Sequence, residues 1–488
     1  MFTKAQRGSS TKKEVNLTEG PFLKKIIVYV IPLIFTGLLQ CLYNAADLVI
    51  VGRFRGSDAL AAVGTTGALT NLVVGLFMGL SVGAGVVVAH HVGALEYKRV
   101  SRVVHTAVVM AASLGVIVGT VGFIFARTFL MWMDTPDTII DAATLYLRII
   151  FCGVPASLIY NYCASMVNSV GETKRPLIFL AISGAVNLLL NVVLVVGCGM
   201  GVDGVAIGTI ASQYLSAILI IGYMMKTDSC IKFSFKKLCF DLVCVKKMLV
   251  IGVPSGIQSV LFSLSNVLIQ SSVNSFGEFV MAGNAAAANI EGFCYVAMNA
   301  VYRAALTFTG QNYGAKKYKN IKTIALQTVG CATVIGLFVA VVSLLFKDFL
   351  LGLYISGEGL TPEAFETTFN AGLKRFYYIL PLYFMCGIME ALCGVMRGMG
   401  KSTATMIFSL VGACGLRIFW IQVVFKYLIP TIEGVYISYP ISWFLVISLN
   451  AIYVFYFYRR LMRDAHKEVF FDKIRTHRYN KDPNMKIK

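Results

Sequence analysis

The sequence predicts an all-α integral membrane protein of twelve transmembrane helices in two six-helix lobes, and three observations support that fold class. Of the 488 residues, 57% are hydrophobic and only 14% are charged, which is too apolar for an ordinary soluble protein. Apolar stretches long enough to cross about 30 Å of hydrocarbon recur about twelve times. The two halves of the chain also repeat one another.

The apolar stretches follow one another along nearly the whole chain. They lie near residues 25–53, 59–90, 103–127, 142–168, 176–199, 203–225, 248–276, 281–312, 322–346, 373–396, 403–428 and 433–458. Backbone groups cannot stay unpaired in lipid, and the stretches are too long for the tilted strands of a barrel, so we expect each to be a helix. The first six make an N-lobe (25–225) and the last six a C-lobe (248–458). A tail (1–24), a linker (226–247) and a basic tail (459–488) complete the chain.

The positive charges predict the sidedness of the membrane. Most of the 43 Lys and Arg residues lie in the two tails and in every second connection, whereas the opposite connections carry acids such as Asp134, Asp137 and Glu363. By the positive-inside rule, both termini are cytoplasmic in a multi-pass protein of the cell (inner or plasma) membrane. The net charge of +19 then reflects topology and attraction to membrane lipid, with no nucleic acid partner.

Several kinds of site are not expected. The amino end is polar until Pro21, so we expect no cleaved signal peptide. His90 and His91 point to different helix faces, and the spacing of the loop cysteines fits no common zinc pattern, so we expect no metal site. We find no catalytic constellation and expect a protein that is not an enzyme and needs no cofactor.

An internal duplication relates the two halves at an offset of 221 to 229 residues. Corresponding landmarks are Gly56 with Gly277, 90–98 with 311–319, and 168–174 with 397–403. Six helices in each half give the halves the same orientation, about an axis along the membrane normal. That arrangement is typical of transporters in which one half rocks against the other.

The run 31–64, IPLIFTGLLQCLYNAADLVIVGRFRGSDALAAVG, resembles the first-helix signature of the multidrug and toxic compound extrusion (MATE) family. The resemblance continues through 187–213 and 398–401. It implies a two-lobe antiporter that exports organic, often cationic or amphipathic, drug-like compounds in exchange for H⁺ or Na⁺. We expect it to act as a monomer.

Four polar side chains form a stripe along one face of the first predicted helix. Its members, at positions i, i+3, i+4 and i+7, are Gln40, Tyr43, Asn44 and Asp47. An ionised Asp near a helix centre costs about 2.5 to 3.5 kcal/mol on insertion scales, so Asp47 needs a partner or a use. The stripe should face protein or water rather than lipid.

Depth arithmetic at about 1.5 Å per residue places Asn191 and Thr209 in the same outer half of the N-lobe as Asp47, and Asn187 lies one turn below Asn191 on the same face. These oxygen and amide groups could let Asp47 exchange a proton or hold sodium. The resemblance implies the same cation site, formed by Tyr43, Asp47, Asn187, Asn191 and Thr209, although some family members carry Asp where this chain has Asn191. The alternative is a polar network that only fixes helix packing.

The C-lobe departs from the family. Some members carry Glu on the seventh helix, whereas 254–274 contains no acid here. The charges within its spans are Glu291, Arg303, Glu390 and Arg417. From their depths we expect Glu390 to pair with Arg303 and Glu291 with Arg417, and the alternative is that the acids bind a substrate cation or a proton.

The sequence can also be compared with three rival functions, and each would need features of its own. A flippase for lipid-linked glycans or peptidoglycan precursor, from the same superfamily, would need a basic cavity for pyrophosphate. The only buried Arg candidate of the N-lobe is Arg148. An intramembrane enzyme would need an acid, His or Cys constellation at one depth. A transporter of the major facilitator type would not carry the Gly-Ala and Asn-x-x-x-Asn landmarks.

Overall fold

The computed structural model describes residues 16–355 and 361–481, and these form long helices joined by short connections. Residues 1–15 of the predicted amino tail and 482–488 of the basic tail lie outside the described residues. The long helices are α1 (Phe22–Gly56), α2 (Ala61–Gly93), α3 (Tyr97–Trp132), α4 (Asp137–Ser169), α5 (Lys174–Gly197), α6 (Val202–Lys226), α7 (Leu242–Asn274), α8 (Glu278–Gly314), α9 (Tyr318–Leu345), α10 (Pro362–Gly398), α11 (Ser402–Leu428) and α12 (Ile432–Lys481).

Eleven of these helices are long and apolar enough to cross a membrane, judged over the described residues. The exception is α8, which carries polar and charged side chains such as Asn284, Glu291 and Arg303 along its length. Much of α8 is nevertheless buried against neighbouring helices. The twelve-helix, all-α membrane fold predicted from the sequence is confirmed.

The linker between the lobes is shorter than the sequence suggested. α7 begins at Leu242, because the Asp241 side chain accepts hydrogen bonds from the backbone N–H groups of Val243 (2.8 Å) and Cys244 (3.4 Å) and so caps the helix. These bonds, the one from Val243 above all, hold the pKa of the Asp241 carboxyl below its usual value. We call the side of the molecule that carries this linker the linker face.

The duplication is confirmed by unusual backbone conformations that recur at the predicted landmarks. A positive φ breaks the chain at Gly56 (83°) and again at Gly277 (93°). Leu95 (58°) and Lys316 (55°) both adopt the left-handed conformation, which is uncommon for residues with a side chain. The last such pair is Gly171 (91°) with Gly400 (75°).

The first helix of each half contributes to both lobes. The main N-lobe core includes Met248 and Ile251 from the start of α7, whereas Ile269 and Val273, near the end of α7, belong to the C-lobe core. In the same way, the start of α1 packs with α8 and α9 in a separate cluster. That cluster joins Leu17, Phe22, Ile26, Tyr29, Val30 and Leu33 to Ala300, Val301, Ala304, Phe308, Ile324, Ala332 and Ala391.

The lobes meet closely at the linker face. Gly93 at the end of α2 lies against the Gln311 carbonyl, and Gly314 at the end of α8 lies against the His90 carbonyl, so that a Cβ atom at either glycine would overlap the other helix. His90 Nε2 donates to the Gly398 carbonyl (2.6 Å), and Gln311 Nε2 donates to the Ser169 carbonyl (2.8 Å). These two hydrogen bonds, which we call the latch, are related by the repeat and join the lobes at this face.

Candidate functional site

Asp47 of α1 meets two helices of the N-lobe. Asn191 of α5 donates from Nδ2 to Asp47 Oδ1 at 2.5 Å, and Thr209 of α6 donates from Oγ1 to Asp47 Oδ2 at 3.4 Å. Thr209 Oγ1 is also 2.9 Å from the Val205 carbonyl. The Asp47 side chain is half-buried, and no Lys or Arg of the described residues forms an ion pair with it. Neutral groups therefore hold this carboxyl.

The two predicted amides on α5 are buried, and each keeps one polar atom without a hydrogen-bond partner among the described residues. These atoms are Asn187 Nδ2 and Asn191 Oδ1. Leaving a buried polar atom unpaired costs about 1 to 3 kcal/mol. Asn191 lies against Gly208 of α6, where any side chain would overlap its Oδ1 atom. An oxygen without a partner thus lies next to the carboxyl.

Tyr43 packs beside this site without bonding to Asp47. Its hydroxyl donates to the Ala181 carbonyl at 3.3 Å, and its ring lies directly against Gly184 of α5. Gln40 and Asn44, the other members of the stripe, are exposed and form no side-chain hydrogen bond among the described residues. The structure therefore brings Asp47, Asn191 and Thr209 into contact and places Tyr43 and Asn187 around them.

Sequence reasoning missed two features of this site. Tyr146 of α4 lies within electrostatic range of Asp47. The α5 backbone also changes from α-helix to π-helix directly after Asn191, over Val192–Gly197. Single π-helical turns are often found at functional sites. Nothing in the order of residues signals either feature.

The available ligands at Asp47 are a carboxylate, an amide oxygen and a hydroxyl. Such oxygen ligands suit a proton or a hard cation and not a soft transition metal. Among the described residues, no group of three or more His, Cys, Asp and Glu side chains could hold a metal ion. The geometry thus supports ion exchange at a single acid.

The expected pairing of Glu291 with Arg417 is wrong. Glu291 instead accepts from Arg375 of α10, at 2.8 Å from Nε and 2.6 Å from Nη2. Arg375 Nη1 donates to Asn284 at 2.8 Å. Arg375 lies at the edge of the predicted span 373–396, and a charge at the edge of a span needs no partner. In the structure α10 begins at Pro362, so Arg375 lies well inside the helix.

Arg417 binds neutral groups. Its Nε donates to Ser442 of α12 at 3.0 Å, its Nη1 donates to Asn266 at 3.4 Å, and its guanidinium lies over the ring of Tyr439. A cation over an aromatic face is attracted by the ring quadrupole.

The expected pairing of Glu390 with Arg303 is also wrong. Glu390 accepts from the Tyr295 hydroxyl at 3.3 Å, and Arg303 donates from Nε to Asn299 at 3.0 Å. Depth along a helix does not specify which way a helix face points, and the two side chains have different partners. Arg397, at the end of α10, donates to Tyr302 and to Gln258.

The chain was compared with known protein families and with curated proteins. The MatE family model matches residues 32–193 and 254–421, one segment in each lobe. A probable multidrug resistance protein of Bacillus subtilis, YoeA, is 24% identical over 440 residues, which cover 89% of this chain and 93% of YoeA. The multidrug export protein MepA of Staphylococcus aureus is 20% identical over 83% of this chain and 88% of MepA.

Solved structures show the same fold. One is an outward-facing multidrug resistance MATE family transporter of the MOP superfamily, with a TM-score of 0.86 and 20% identity, and it covers 93% of this chain and 100% of that one. Another is a MOP superfamily transporter from Pyrococcus furiosus whose binding pocket has reverse polarity, with a TM-score of 0.87, 20% identity and the same coverage. Since the family model matches more than half of the chain, in both lobes, this multi-pass membrane protein belongs to the MatE family.

Proposed function

We propose that this protein is a secondary antiporter that exports drug-like organic compounds from the cytoplasm in exchange for protons or sodium ions. The observation that carries the proposal is the environment of Asp47, a carboxyl inside the spans that is held only by neutral donors from α5 and α6. The multidrug resistance and export proteins that this chain resembles support the substrate class. The amphipathic and often cationic character of the substrates is part of the proposal.

The chemistry at Asp47 follows from its partners. An acid with a fixed guanidinium partner, such as Glu291, has its charge compensated at all times, so binding of a further cation gains little. Asp47 has no such partner among the described residues, so a proton or sodium ion neutralises it when bound and leaves a charge when released. The carboxyl can therefore change between two charge states during a transport cycle.

The path of α1 connects this change to the lobes. Asp47 bonds to N-lobe helices near one end of α1, while the other end of α1 is packed into the C-lobe through residues such as Ile26 and Tyr29. A ligand shifts an equilibrium between two conformations by its difference in affinity for them. Ion binding that alters the bonds of Asp47 would thus bias how the lobes sit relative to each other.

The proposal places the protein in the cell membrane with both termini in the cytoplasm. The linker face is then the cytoplasmic side, and the latch closes that side. The structural similarity to an outward-facing transporter agrees with this arrangement. The protein would work as a monomer.

The test is transport of a fluorescent organic cation into vesicles under a proton or a sodium gradient imposed separately. We expect Asp47→Asn to abolish gradient-driven transport, a loss of at least about tenfold, because the amide cannot change its charge. The matched control is Asp137→Asn at an exposed position at the start of α4, which should transport like the natural protein. Full transport by Asp47→Asn under both gradients would refute the assignment.

A second candidate is a flippase for lipid-linked glycans, and it is favoured by the uncompensated arginines of the C-lobe. Arg303 and Arg417 form no ion pair among the described residues, and together they offer the basic groups that the N-lobe lacks. Transport of a small organic cation by the natural protein, dependent on Asp47, would exclude a dedicated flippase. Transbilayer movement of a lipid-linked pyrophosphate without such export would support it.

A further inference from the structure

The C-lobe interior carries an excess of positive charge. The buried or half-buried charged side chains of α8, α10 and α11 are Glu291, Arg303, Arg375, Glu390, Arg397 and Arg417. These three helices therefore carry four such guanidinium groups and only two such carboxyls. Charged side chains within spans are costly and are normally paired or exposed to a water-filled cavity. An anionic group from outside the chain would offset this excess.

Of these four arginines, Arg303 has the most free donors. Its Nε atom is used by Asn299, whereas its two Nη groups have no hydrogen-bond partner among the described residues and are not enclosed. Arg397, in contrast, is buried and bonded to Tyr302 and Gln258, and Arg375 is paired with Glu291. Two adjacent donors in a rigid plane match the oxygens of a carboxylate or phosphate.

Arg303 belongs to an accessible stripe on an otherwise buried helix. Between residues 294 and 310, the positions with accessible surface are Tyr295, Val296, Asn299 and Arg303. Their spacing of one, three and four residues puts them on one face of α8. Tyr295 is 39% exposed although its hydroxyl reaches Glu390 on α10. This face of α8 is therefore accessible, whereas the other positions of the same stretch are buried.

The stripe faces the junction of the lobes. Val296 lies directly against Gly37 of α1, and Arg303 is within electrostatic range of Tyr29 of α1 and Tyr160 of α4. The free guanidinium donors thus lie between α8 of one lobe and helices that lead to the other. A molecule that passes between the lobes would meet them.

We propose that Arg303 is a subsite that binds the oxyanion group, a carboxylate or phosphate, of the transported molecule. This inference rests on the proposed transport function and adds a substrate feature to it. Asn299 orients the guanidinium, and the accessible surfaces of Tyr295 and Val296 contact the apolar part of the molecule. A substrate that carries an acid group, whether or not it also carries a cationic group, is therefore preferred over the analogue that lacks the acid group.

The test is equilibrium binding to the full-length protein in nanodiscs of phosphatidylcholine, without any ion gradient. The probes are dansylglycine, which carries a carboxylate, and its methyl ester, which does not. We expect the natural protein to bind dansylglycine at least about tenfold more tightly than the ester. Arg303→Gln should remove that preference, because it lowers the affinity for dansylglycine and leaves the affinity for the ester unchanged. Arg148→Gln, at an exposed arginine of α4, should keep the preference.

Further variants separate a binding role from a folding role. Arg303→Lys keeps the charge and should retain part of the preference, and Asn299→Ala should reduce it. The proposal would be overturned if the natural protein bound dansylglycine and its ester with equal affinity. It would also be overturned if Arg303→Gln lowered the affinity for both probes equally. Displacement of dansylglycine by phosphatidylglycerol would support a lipid phosphate as the source of the oxyanion, and lack of displacement would support a soluble acid.

Failure of this inference is distinguishable from failure of the proposed antiport. Asp47→Asn should still bind dansylglycine, because binding at equilibrium needs no coupling ion. If the natural protein shows no preference for the acid but Asp47-dependent export persists, only the subsite is wrong. If the preference is present but no ion gradient drives transport, only the antiport is wrong.

Discussion

Asp47 and Glu291 are both carboxyls within the spans, and the side chains around them differ in charge. Asp47 accepts hydrogen bonds from an amide and a hydroxyl, whereas Glu291 accepts two from one guanidinium. The ion pair of Glu291 and Arg375 joins α8 to α10, and both side chains are at most 8% exposed. The first arrangement suits exchange of a cation, and the second suits stability.

Breaking the buried pair should destabilise the protein strongly. Glu291→Gln leaves the Arg375 guanidinium uncompensated, which costs about 3 to 5 kcal/mol for a buried pair. We expect a clear drop in Tm of the purified protein, and the double variant Glu291→Leu with Arg375→Met should recover most of the loss. Glu433→Gln is the control, because its partly exposed pair with Lys374 should contribute about 1 kcal/mol or less. A Glu291→Gln variant as stable as the natural protein would disprove this role.

At the scale of elements, the candidate site depends on how closely α1, α5 and α6 approach each other. Gly184 and Gly208 leave room for the Tyr43 ring and for the Asn191 amide. Small residues at contacts let helix backbones come together where no hydrophobic effect drives association in lipid. The hydrogen bonds to Asp47 follow from this proximity.

Filling that space should separate α1 from α5. In Gly184→Ala, the added methyl group would overlap the Tyr43 ring, so we expect a loss of gradient-driven transport of at least about fivefold together with a lower Tm. Gly222→Ala on α6 is the matched control, since nothing lies within 4 Å of its added Cβ atom. The control should keep full activity and gain slightly in stability, because Ala favours helix more than Gly. Normal transport by Gly184→Ala would show that the close contact is dispensable.

At the scale of the whole molecule, the lobes are joined by symmetric contacts at the linker face. The latch bonds of His90 and Gln311 reach the ends of α10 and α4, each in the opposite lobe. The crossing of Gly93 and Gly314 adds a close backbone contact beside them. An opening of the lobes at this face has to break both hydrogen bonds and separate that contact.

Removing the latch should favour opening at the linker face. One hydrogen bond contributes about 0.5 to 1.5 kcal/mol, so the loss of both in His90→Ala with Gln311→Ala should shift the equilibrium by about 2 kcal/mol, or roughly 30-fold. Spin labels at Leu95 and Lys319, one on each lobe, would report a larger population of long distances. Asn161→Ala is the control, because that amide bonds to Ser157 within its own helix. Unchanged distances in the double variant would mean that the latch does not hold the lobes together.

The sequence by itself determined the number of helices, their order and the duplication. Hydropathy and turn residues act locally, so their effect does not depend on which helices pack together. Depth along a helix follows from a constant rise per residue, so the convergence of Asp47, Asn191 and Thr209 was predictable. Only the tertiary structure decided which helix faces meet. It therefore decided the partner of Glu291, the free guanidinium of Arg303 and the packing of α1 into both lobes. Rotation of a helix about its axis leaves depth unchanged but selects different neighbours, and that rotation is set by contacts between residues far apart in the chain.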